Sequence, residues 1–174
     1  MEKIPGDYVA GFVDGEGCFA LKFRRDSKQN LGNKKIREYF YWGVEFAIAL
    51  RPDDAEILKL IKNTLGCGSI NYTKNGEQAR YSVQGVRENL NKIVPFFKKH
   101  KLYAKKRHDF ELWSQAIEIL TKYNDGILNI QKGTRGFTKK EIKQDDLRKL
   151  EDLRNRMIKY KARREKDFMW GSVK

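Results

Sequence analysis

The sequence is poor in cysteine and proline. Of its 174 residues, three are proline and two are cysteine, Cys18 and Cys67. The two cysteines are far apart and form no C-x-x-C pair, so the sequence predicts neither a disulfide framework nor a structural zinc site. We interpret both as small buried thiols in a reducing compartment.

Long apolar runs are missing as well. No window reaches the roughly 20 apolar residues that a membrane-spanning helix requires. The stretch MEKIPGDYVAGF at residues 1–12 lacks the apolar run behind a basic start that marks a secretory signal. We therefore expect an intracellular protein with no membrane partner.

Negative charge is scarce relative to positive charge. Lysine and arginine total 37 against 23 for aspartate and glutamate, so the formal net charge is +14. An excess this large indicates a polyanionic partner, most often nucleic acid, although a basic protein tuned for solubility is the alternative. The length fits one domain of about 100–200 residues with one core. The 12% aromatic content favours a folded protein over a disordered one.

The stretch YVAGFVDGEGCF at residues 8–19 combines small and acidic residues. We predict a short helix over residues 7–14, capped by Asp7 and ended by Gly15 and Gly17. After the glycines the sequence changes to the alternating pattern of a strand.

Two residues in the middle of this helix have almost no side chain. Glycine at position 11 costs about 1 kcal/mol relative to alanine in a helix, and Ala10 precedes it. Such a pair of small residues is explained if a second backbone approaches this helix face closely. Asp14 and Glu16 then place negative charge at the helix C-terminus, where it is electrostatically unfavourable.

Two alternating strands are predicted next, over residues 18–24 and 38–50, with a polar turn region over 24–35 between them. Their exposed faces are polar and partly basic. The core-facing positions are Phe19, Leu21 and Phe23 in the first strand and Phe40, Trp42, Val44, Phe46, Ile48 and Leu50 in the second.

A helix capped by Asp53 or Asp54 and stopped by Gly66 follows, and then a hairpin around Asn75-Gly76. One hairpin face is expected to carry Ile70, Tyr72, Tyr81 and Val83. The other face is hydrogen-bonding and mildly basic, with Ser69, Asn71, Thr73, Arg80, Ser82 and Gln84.

The remaining chain is predicted to be helical. Pro95 kinks or breaks the first of these helices, an amphipathic helix follows the lysines at 105 and 106, and Thr138 caps the last one. We interpret His100 and His108 as surface histidines. The order is α-β-β-α-β-β-α with a helical C-terminal extension, an α+β fold in which the four strands form an antiparallel sheet.

YVAGFVDGEGCF, this order of elements and FELWSQAIEIL together resemble the LAGLIDADG homing endonucleases. The resemblance covers about residues 7–125 and is carried mainly by the opening motif. It implies a single 1–174 endonuclease domain, with a core over 7–125 and a helical, basic extension over 126–174. The motif occurs once, so the resemblance implies a homodimer in which the 7–14 helices of two chains pack together.

The resemblance also implies an active site. Glu16 matches the family's metal-binding carboxylate, and the Gly15 carbonyl is implied as a further ligand, for Mg²⁺ or another divalent cation such as Mn²⁺ or Ca²⁺. Asp14 matches an acid that is more often structural. Lys105 best matches a catalytic lysine, with Lys101 and Lys106 as alternatives. Where the family has a water-positioning polar residue this chain has Leu50, beside Arg51.

For the DNA interface, the resemblance implies a saddle-shaped sheet lying in the major groove, while Lys105 to Arg107 and Lys159 to Arg164 would bind phosphates. The function implied is a metal-dependent, staggered double-strand break in a long, near-palindromic DNA site. The alternatives are an RNA maturase that assists intron splicing and a non-cleaving DNA-binding regulator on the same fold. An organelle (chloroplast or mitochondrion) or the bacterial cytoplasm is the implied location. The predicted DNA-binding residues are Lys22, Arg24, Tyr39, Tyr41, Glu45, Ser69, Asn71, Thr73, Arg80 and Ser82.

Overall fold

The computed structural model describes residues 2–29, 36–124 and 142–158. Its order of elements confirms the predicted α-β-β-α-β-β-α fold with additional helices. The elements are α1 Gly6–Glu16, β1 Gly17–Gln29, β2 Ile36–Leu50, a 3₁₀ turn Pro52–Asp54, α2 Ala55–Leu65, β3 Ser69–Tyr72, β4 Ala79–Val83, α3 Val86–Glu88, a π-helical turn Asn89–Ile93, α4 Val94–Lys99, α5 Lys106–Asn124 and α6 Gln144–Ile158.

The four strands form one antiparallel sheet in the order β1-β2-β4-β3. β1 and β2 make a long hairpin that pairs Gly17 with Ile48 at one end and Gln29 with Ile36 at the other. Residues 24–29, predicted as part of a polar turn, are therefore strand, because pairing with β2 satisfies their backbone groups. The rest of that predicted turn, residues 30–35, lies outside the described residues.

One face of the sheet carries the hydrophobic core. Phe19 is fully buried, and its ring contacts those of Phe46, Phe97, Phe110 and Trp113 at centroid distances of 5.1–5.6 Å. Aromatic pairs at these separations add to the free energy gained from burial alone. The predicted core positions that the structure describes in β1 and β2 are buried, except for the half-buried residue at 50.

The hairpin of β3 and β4 turns at Asn75-Gly76 as predicted, with Gly76 at φ 71°. Tyr81 and Val83 are fully buried, but Tyr72 is 55% exposed. The register pairs Ile70 with Tyr81 and Tyr72 with Ala79, so Tyr72 lies on the predicted shared face. It is the last residue of β3, which is an edge strand of the sheet.

Helix boundaries agree with the sequence in part. Gly66 ends α2 in the left-handed conformation, as predicted. Asp7 does not cap α1, because Pro5 occupies that position and no side chain caps the helix. Pro95 lies in the first turn of α4, directly after the π-helical turn, so the predicted break is a change of helix type. Proline has no N–H to donate, and the change to π-helical hydrogen bonding just before it accommodates the missing donor.

α6 packs against α5. Leu150, Leu153 and Met157 are buried in the same core as the sheet. Tyr123 of α5 donates its hydroxyl hydrogen to Asp146 Oδ2 at 2.6 Å. That hydrogen bond lowers the pKa of Asp146, and the nearby Lys122 ammonium acts in the same direction. The predicted cap Thr138 and the basic tail lie outside the described residues.

Candidate active site and nucleic-acid interface

The junction between α1 and β1 depends on Gly17. α1 runs through Gly15 to Glu16, two residues further than predicted, and the chain becomes extended at Gly17. A Cβ atom on Gly17 would lie 2.5 Å from Val13 Cγ1 and 2.7 Å from the Val13 carbonyl oxygen. Because no side chain fits there, glycine allows helix and strand to meet directly. The junction places Glu16 at the boundary between the helix and the sheet.

Glu16 presents a free carboxylate. The residue is exposed, and within the part of the chain that the structure describes it has no hydrogen-bond or ion-pair partner. Gly15 is also exposed, and a Cβ placed on it would meet nothing within 4 Å. The predicted metal ligands are therefore side by side and accessible.

Asp14, in contrast, is bound within the protein. Its Oδ2 accepts hydrogen bonds from the backbone N–H of Tyr103 at 2.7 Å and of Ala104 at 3.2 Å. Its Oδ1 is buried and has no hydrogen-bond partner among the described residues. Asp14 thus attaches the segment before α5 to the C-terminal end of α1.

The same segment is attached to the other end of α1. His100 Nδ1 and Asp7 Oδ1 are 2.7 Å apart, and the His100 ring lies directly against Gly6. Its ring also packs on Phe96 at a centroid distance of 4.8 Å. His100 is therefore not a free surface histidine, and the carboxylate predicted to cap α1 is the group it binds.

These two attachments bring the predicted lysines close to the motif. Lys101 and Lys105 are exposed and flank the two residues whose N–H groups Asp14 binds. The Lys105 carbonyl accepts the N–H of His108 at 3.1 Å, just before α5 begins. Lys106 is half-buried in the first turn of that helix.

Arg51 leaves β2 at the end of the sheet where β1 begins, three residues after the partner of Gly17. Its guanidinium is 81% exposed and lies 3.0 Å from Asp53 Oδ2. Leu50, at the position where the resemblance predicts a polar residue, is half-buried and packs against the core.

The open face of the sheet centres on Glu45. Its Oε2 accepts hydrogen bonds from Lys22 Nζ and from an Arg80 guanidinium nitrogen, the latter at 2.9 Å. Its Oε1 accepts a hydrogen bond from Gln84 Nε2 at 3.1 Å. The Glu45 side chain is 3% exposed, whereas those of Lys22 and Arg80 are 36% and 38% exposed. Burial raises the pKa of Glu45, but the two cations outweigh it and hold this pKa below its ordinary value.

The other predicted DNA-binding residues lie on the same sheet. Ser69 and Asn71 are exposed on β3, and Asn71 Nδ2 donates to Ser69 Oγ at 3.3 Å. Thr73, exposed after β3, accepts the Gln78 N–H at 3.0 Å, while Ser82 is only 5% exposed. The strand register pairs Arg24 with Tyr41 and Asp26 with Tyr39.

The described residues of one chain do not form a complete metal site. Among residues 2–29, 36–124 and 142–158, no three His, Cys, Asp or Glu residues are grouped so that they could hold a metal ion. The chemistry of Glu16 and Gly15 nevertheless fits a hard divalent cation. Mg²⁺ takes oxygen ligands and usually binds one or two carboxylates together with water and phosphate.

No helix among the described residues is long and apolar enough to cross a membrane.

Comparison with known proteins identifies the family of this chain. The sequence model of the LAGLIDADG endonuclease family matches residues 9–117, which include most of α1, the whole sheet and most of α5. This chain therefore belongs to the LAGLIDADG endonuclease family.

Two curated fungal proteins are similar to this chain. A probable intron-encoded endonuclease 3 of Neurospora crassa is 30% identical over 112 residues, 64% of this chain and 20% of that protein. A probable intron-encoded DNA endonuclease 1 of Mycosarcoma maydis is 28% identical over 104 residues, 60% of this chain and 34% of that protein. The chain thus spans a fifth to a third of the length of these relatives.

Solved structures share the fold. The I-LtrWI LAGLIDADG homing endonuclease bound to target DNA superposes with a TM-score of 0.69 at 21% identity, covering 90% of this chain and 45% of that one. Homing endonuclease I-TnaI superposes with a TM-score of 0.62 at 23% identity, covering 89% of this chain and 88% of that one. This chain thus corresponds to nearly half of the first structure and to most of the second.

Proposed function

We propose that this chain is a homing endonuclease that makes a metal-dependent, staggered double-strand break in a long, near-palindromic DNA site. The observation that carries the proposal is the free Glu16 carboxylate at the junction of the motif helix and a basic sheet face. A protein that only binds DNA has no need of an unpaired acid there, because the acid repels phosphate. The names of the two fungal relatives support the same activity and an intron-encoded origin.

We infer that two chains act together through α1. Gly11 and Gly15 face open space, in which added Cβ atoms would meet nothing within 4 Å. Tyr8, on the same helix, is 53% exposed and stacks on the half-buried Phe12 at 6.4 Å. A helix with uncovered glycines and an exposed aromatic ring is suited to a second helix, and a symmetric dimer is the commonest arrangement.

Glu16 and the Gly15 carbonyl would hold the divalent cation, with Mg²⁺ the expected ion. When bound, such an ion activates water and stabilises the leaving oxygen of the phosphodiester. A symmetric dimer would bring together the two Glu16 carboxylates at the paired helix ends. The DNA phosphates and water would complete the oxygen ligands that one chain lacks.

Other residues of the chain position this centre. Asp14 fixes the backbone of the segment 100–105 against the C-terminal end of α1. This attachment would hold the ammonium of Lys105 near Glu16. We propose that Lys105 offsets charge on the reacting phosphate, with Lys101 and Lys106 as the alternatives. A lysine acts here as a mobile point charge, which suits a phosphate whose charge grows in the transition state.

The open sheet face would lie in the major groove, where all four base pairs are distinguishable. Lys22 and Arg80 have donors suited to guanine, and Asn71 has an amide suited to adenine. The exposed cations outside the sheet would contact phosphates and make the affinity salt-dependent without adding specificity. Further readers are proposed at Arg24, Tyr39, Tyr41, Ser69, Thr73 and Ser82.

The test begins by selecting bound duplexes from a random library, which identifies the target without knowledge of the host gene. The selected duplex is then incubated with Mg²⁺ or with EDTA, and the ends of any products are mapped by sequencing. We expect staggered cuts on both strands with Mg²⁺ and none with EDTA. Glu16→Gln should bind the duplex but not cut it, while Glu56→Gln, a charge-matched change on the exposed side of α2, should cut normally.

Binding without cutting by the wild-type protein in Mg²⁺, Mn²⁺ and Ca²⁺ would contradict the endonuclease proposal. In that case tight binding of the duplex would favour a regulator, and tight binding of a structured intron RNA would favour a maturase.

A further inference from the structure

We propose that Glu45 is a positioning residue for sequence recognition, which holds Lys22, Arg80 and Gln84 as one preset group for reading adjacent base pairs. The inference rests on the proposed DNA-binding function of the sheet. It gives Glu45 a role through its neighbours rather than a contact with DNA.

The geometry hides Glu45 beneath the groups it binds. Its side chain is 3% exposed, while Lys22 and Arg80 are more than a third exposed above it. Both of its oxygens already accept hydrogen bonds, from three side chains on β1, on β4 and just after β4. A base edge approaching this face therefore meets the three donors before it can reach the carboxylate.

The donors keep free capacity for DNA. An ammonium has three N–H groups and a guanidinium five, so one hydrogen bond to Glu45 leaves the others available. A carboxylate only accepts hydrogen bonds, so the Gln84 amide must turn its NH₂ group toward Glu45 and its oxygen away. The group can therefore donate to guanine O6 and N7 and accept from the adenine or cytosine amino group.

The floor around Glu45 is built from small residues, which leaves room for the long side chains to lie across the sheet. The strand register places Ala20 opposite Glu45 and Gly43 opposite Lys22. It also places Ala47 opposite Ser82 and Ala49 opposite Arg80.

Holding long cations in place before DNA arrives has a physical benefit. Free lysine and arginine side chains lose much rotamer freedom when they bind, and a preformed ion pair removes part of that loss in advance. The buried carboxylate also cancels one of the two positive charges. The group then attracts phosphates of any sequence less strongly, and this favours discrimination between sequences over general affinity.

The test uses two variants of Glu45 with different defects. Glu45→Gln keeps the shape and removes the charge, whereas Glu45→Asp keeps the charge but is one methylene shorter and cannot reach all three partners. Glu56→Gln is the control, because that acid is exposed on α2 and its partner among the described residues is Lys59, at 2.8 Å. Sequence preference is measured by duplex selection, the specific-to-nonspecific affinity ratio by titration, and the folded state of each variant by thermal unfolding.

We expect both Glu45 variants to lose about tenfold or more in the affinity ratio, at the same base pairs that Lys22→Ala and Arg80→Ala affect. Nonspecific affinity should rise for Glu45→Gln, because a negative charge is lost. In a double-mutant cycle the effects of Glu45→Gln and Arg80→Ala should not add, since both act on one group.

Two results would overturn the role of Glu45 and leave the proposed function intact. In both, the wild type still selects and cuts a defined duplex. Wild-type sequence preference in Glu45→Asp would show that only the charge matters. A change of preference confined to a base pair that Lys22→Ala and Arg80→Ala leave untouched would show that Glu45 reads DNA directly. A wild-type protein that selects no duplex would instead overturn the proposed function, and the inference with it.

Discussion

The two acidic residues of the motif lie two positions apart on one helix and do opposite things. Asp14 Oδ2 accepts hydrogen bonds from two backbone N–H groups of the segment before α5, about 90 residues away along the chain. Glu16 is exposed and has no partner in the described chain. One acid is used inside the protein, and the other is free to bind a ligand, as we propose for the metal.

The difference lets one short motif supply a structural contact and the carboxylate to which we assign the metal. The bound acid fixes the segment that carries Lys101 and Lys105, and Gly17 fixes where the helix stops. Glu16 is then held by the backbone alone. An accessible carboxylate held in this way can meet a cation without first giving up an internal partner.

Replacing Asp14 should have the largest effect on stability. Asp14→Ala removes two hydrogen bonds to a charged acceptor, so we expect the free energy of unfolding to fall by about 1.5–3 kcal/mol. The matched change Glu16→Ala should alter it by less than about 0.5 kcal/mol, because Glu16 has no internal contact to lose. Urea unfolding of the two variants checks this, and equal losses would contradict the distinction between the acids.

A side chain at position 17 should disturb the junction below Glu16. Gly17→Ala places a methyl group against Val13, and overpacking of this kind costs about 1–3 kcal/mol. Gly43→Ala is the control, since its Cβ would meet nothing within 4 Å and Gly43 lies in β2, away from α1. The unfolding midpoint of Gly17→Ala should lie clearly below that of the control variant. No difference between them would mean that helix and strand do not meet as closely as described.

The local elements were predictable from the sequence because local patterns specify them. The alternation around Phe19, the glycine stop at Gly66 and the Asn75-Gly76 turn each need only a few neighbouring residues. The resemblance of the opening motif also identified the family correctly. The sequence predicted the order of the elements for the same reason.

The contacts that organise the site were not predictable, because they join distant parts of the chain. Asp7 looks like a helix cap, yet its carboxylate binds His100. Nothing near Tyr103 indicates that its N–H binds Asp14. Glu45 has the spacing of an exposed strand residue, but the side chains of Lys22, Arg80 and Gln84 close over it. The sequence signal for the cluster around Glu45 was one acid on β2 between cations on β1 and β4, the two strands that pair with it.

Acid should weaken the protein through Glu45 and Asp146, whose pKa values are lowered in the folded state. The folded-state pKa of Glu45 is below its ordinary value of 4.5, and that of Asp146 is lowered by Tyr123. Each stabilises the folded state fully above its unfolded-state pKa, and this contribution is lost as the pH falls through the lower, folded-state pKa. Urea unfolding should therefore show a fall in stability below pH 4.5 that is smaller in Glu45→Gln. An unchanged acid dependence in that variant would contradict the assignment to Glu45.

The smallest effect is expected at the other end of α1. Asp7 is 90% exposed, and exposed ion pairs contribute about 0–1 kcal/mol. Asp7→Asn should therefore lower the free energy of unfolding by less than Asp14→Ala does, and it should leave cleavage unchanged. A larger loss from Asp7→Asn than from Asp14→Ala would reverse the order of the two attachments.

The most direct test of the account is the titration of Mn²⁺ into the protein bound to its selected duplex, with a non-hydrolysable linkage at each cut position. Calorimetry would compare the wild type, Glu16→Gln and the control Glu56→Gln. The account predicts Mn²⁺ binding by the wild type and the control, and loss of that binding in Glu16→Gln. Equal Mn²⁺ affinity in all three proteins would contradict the assignment of Glu16 as the carboxylate that holds the metal.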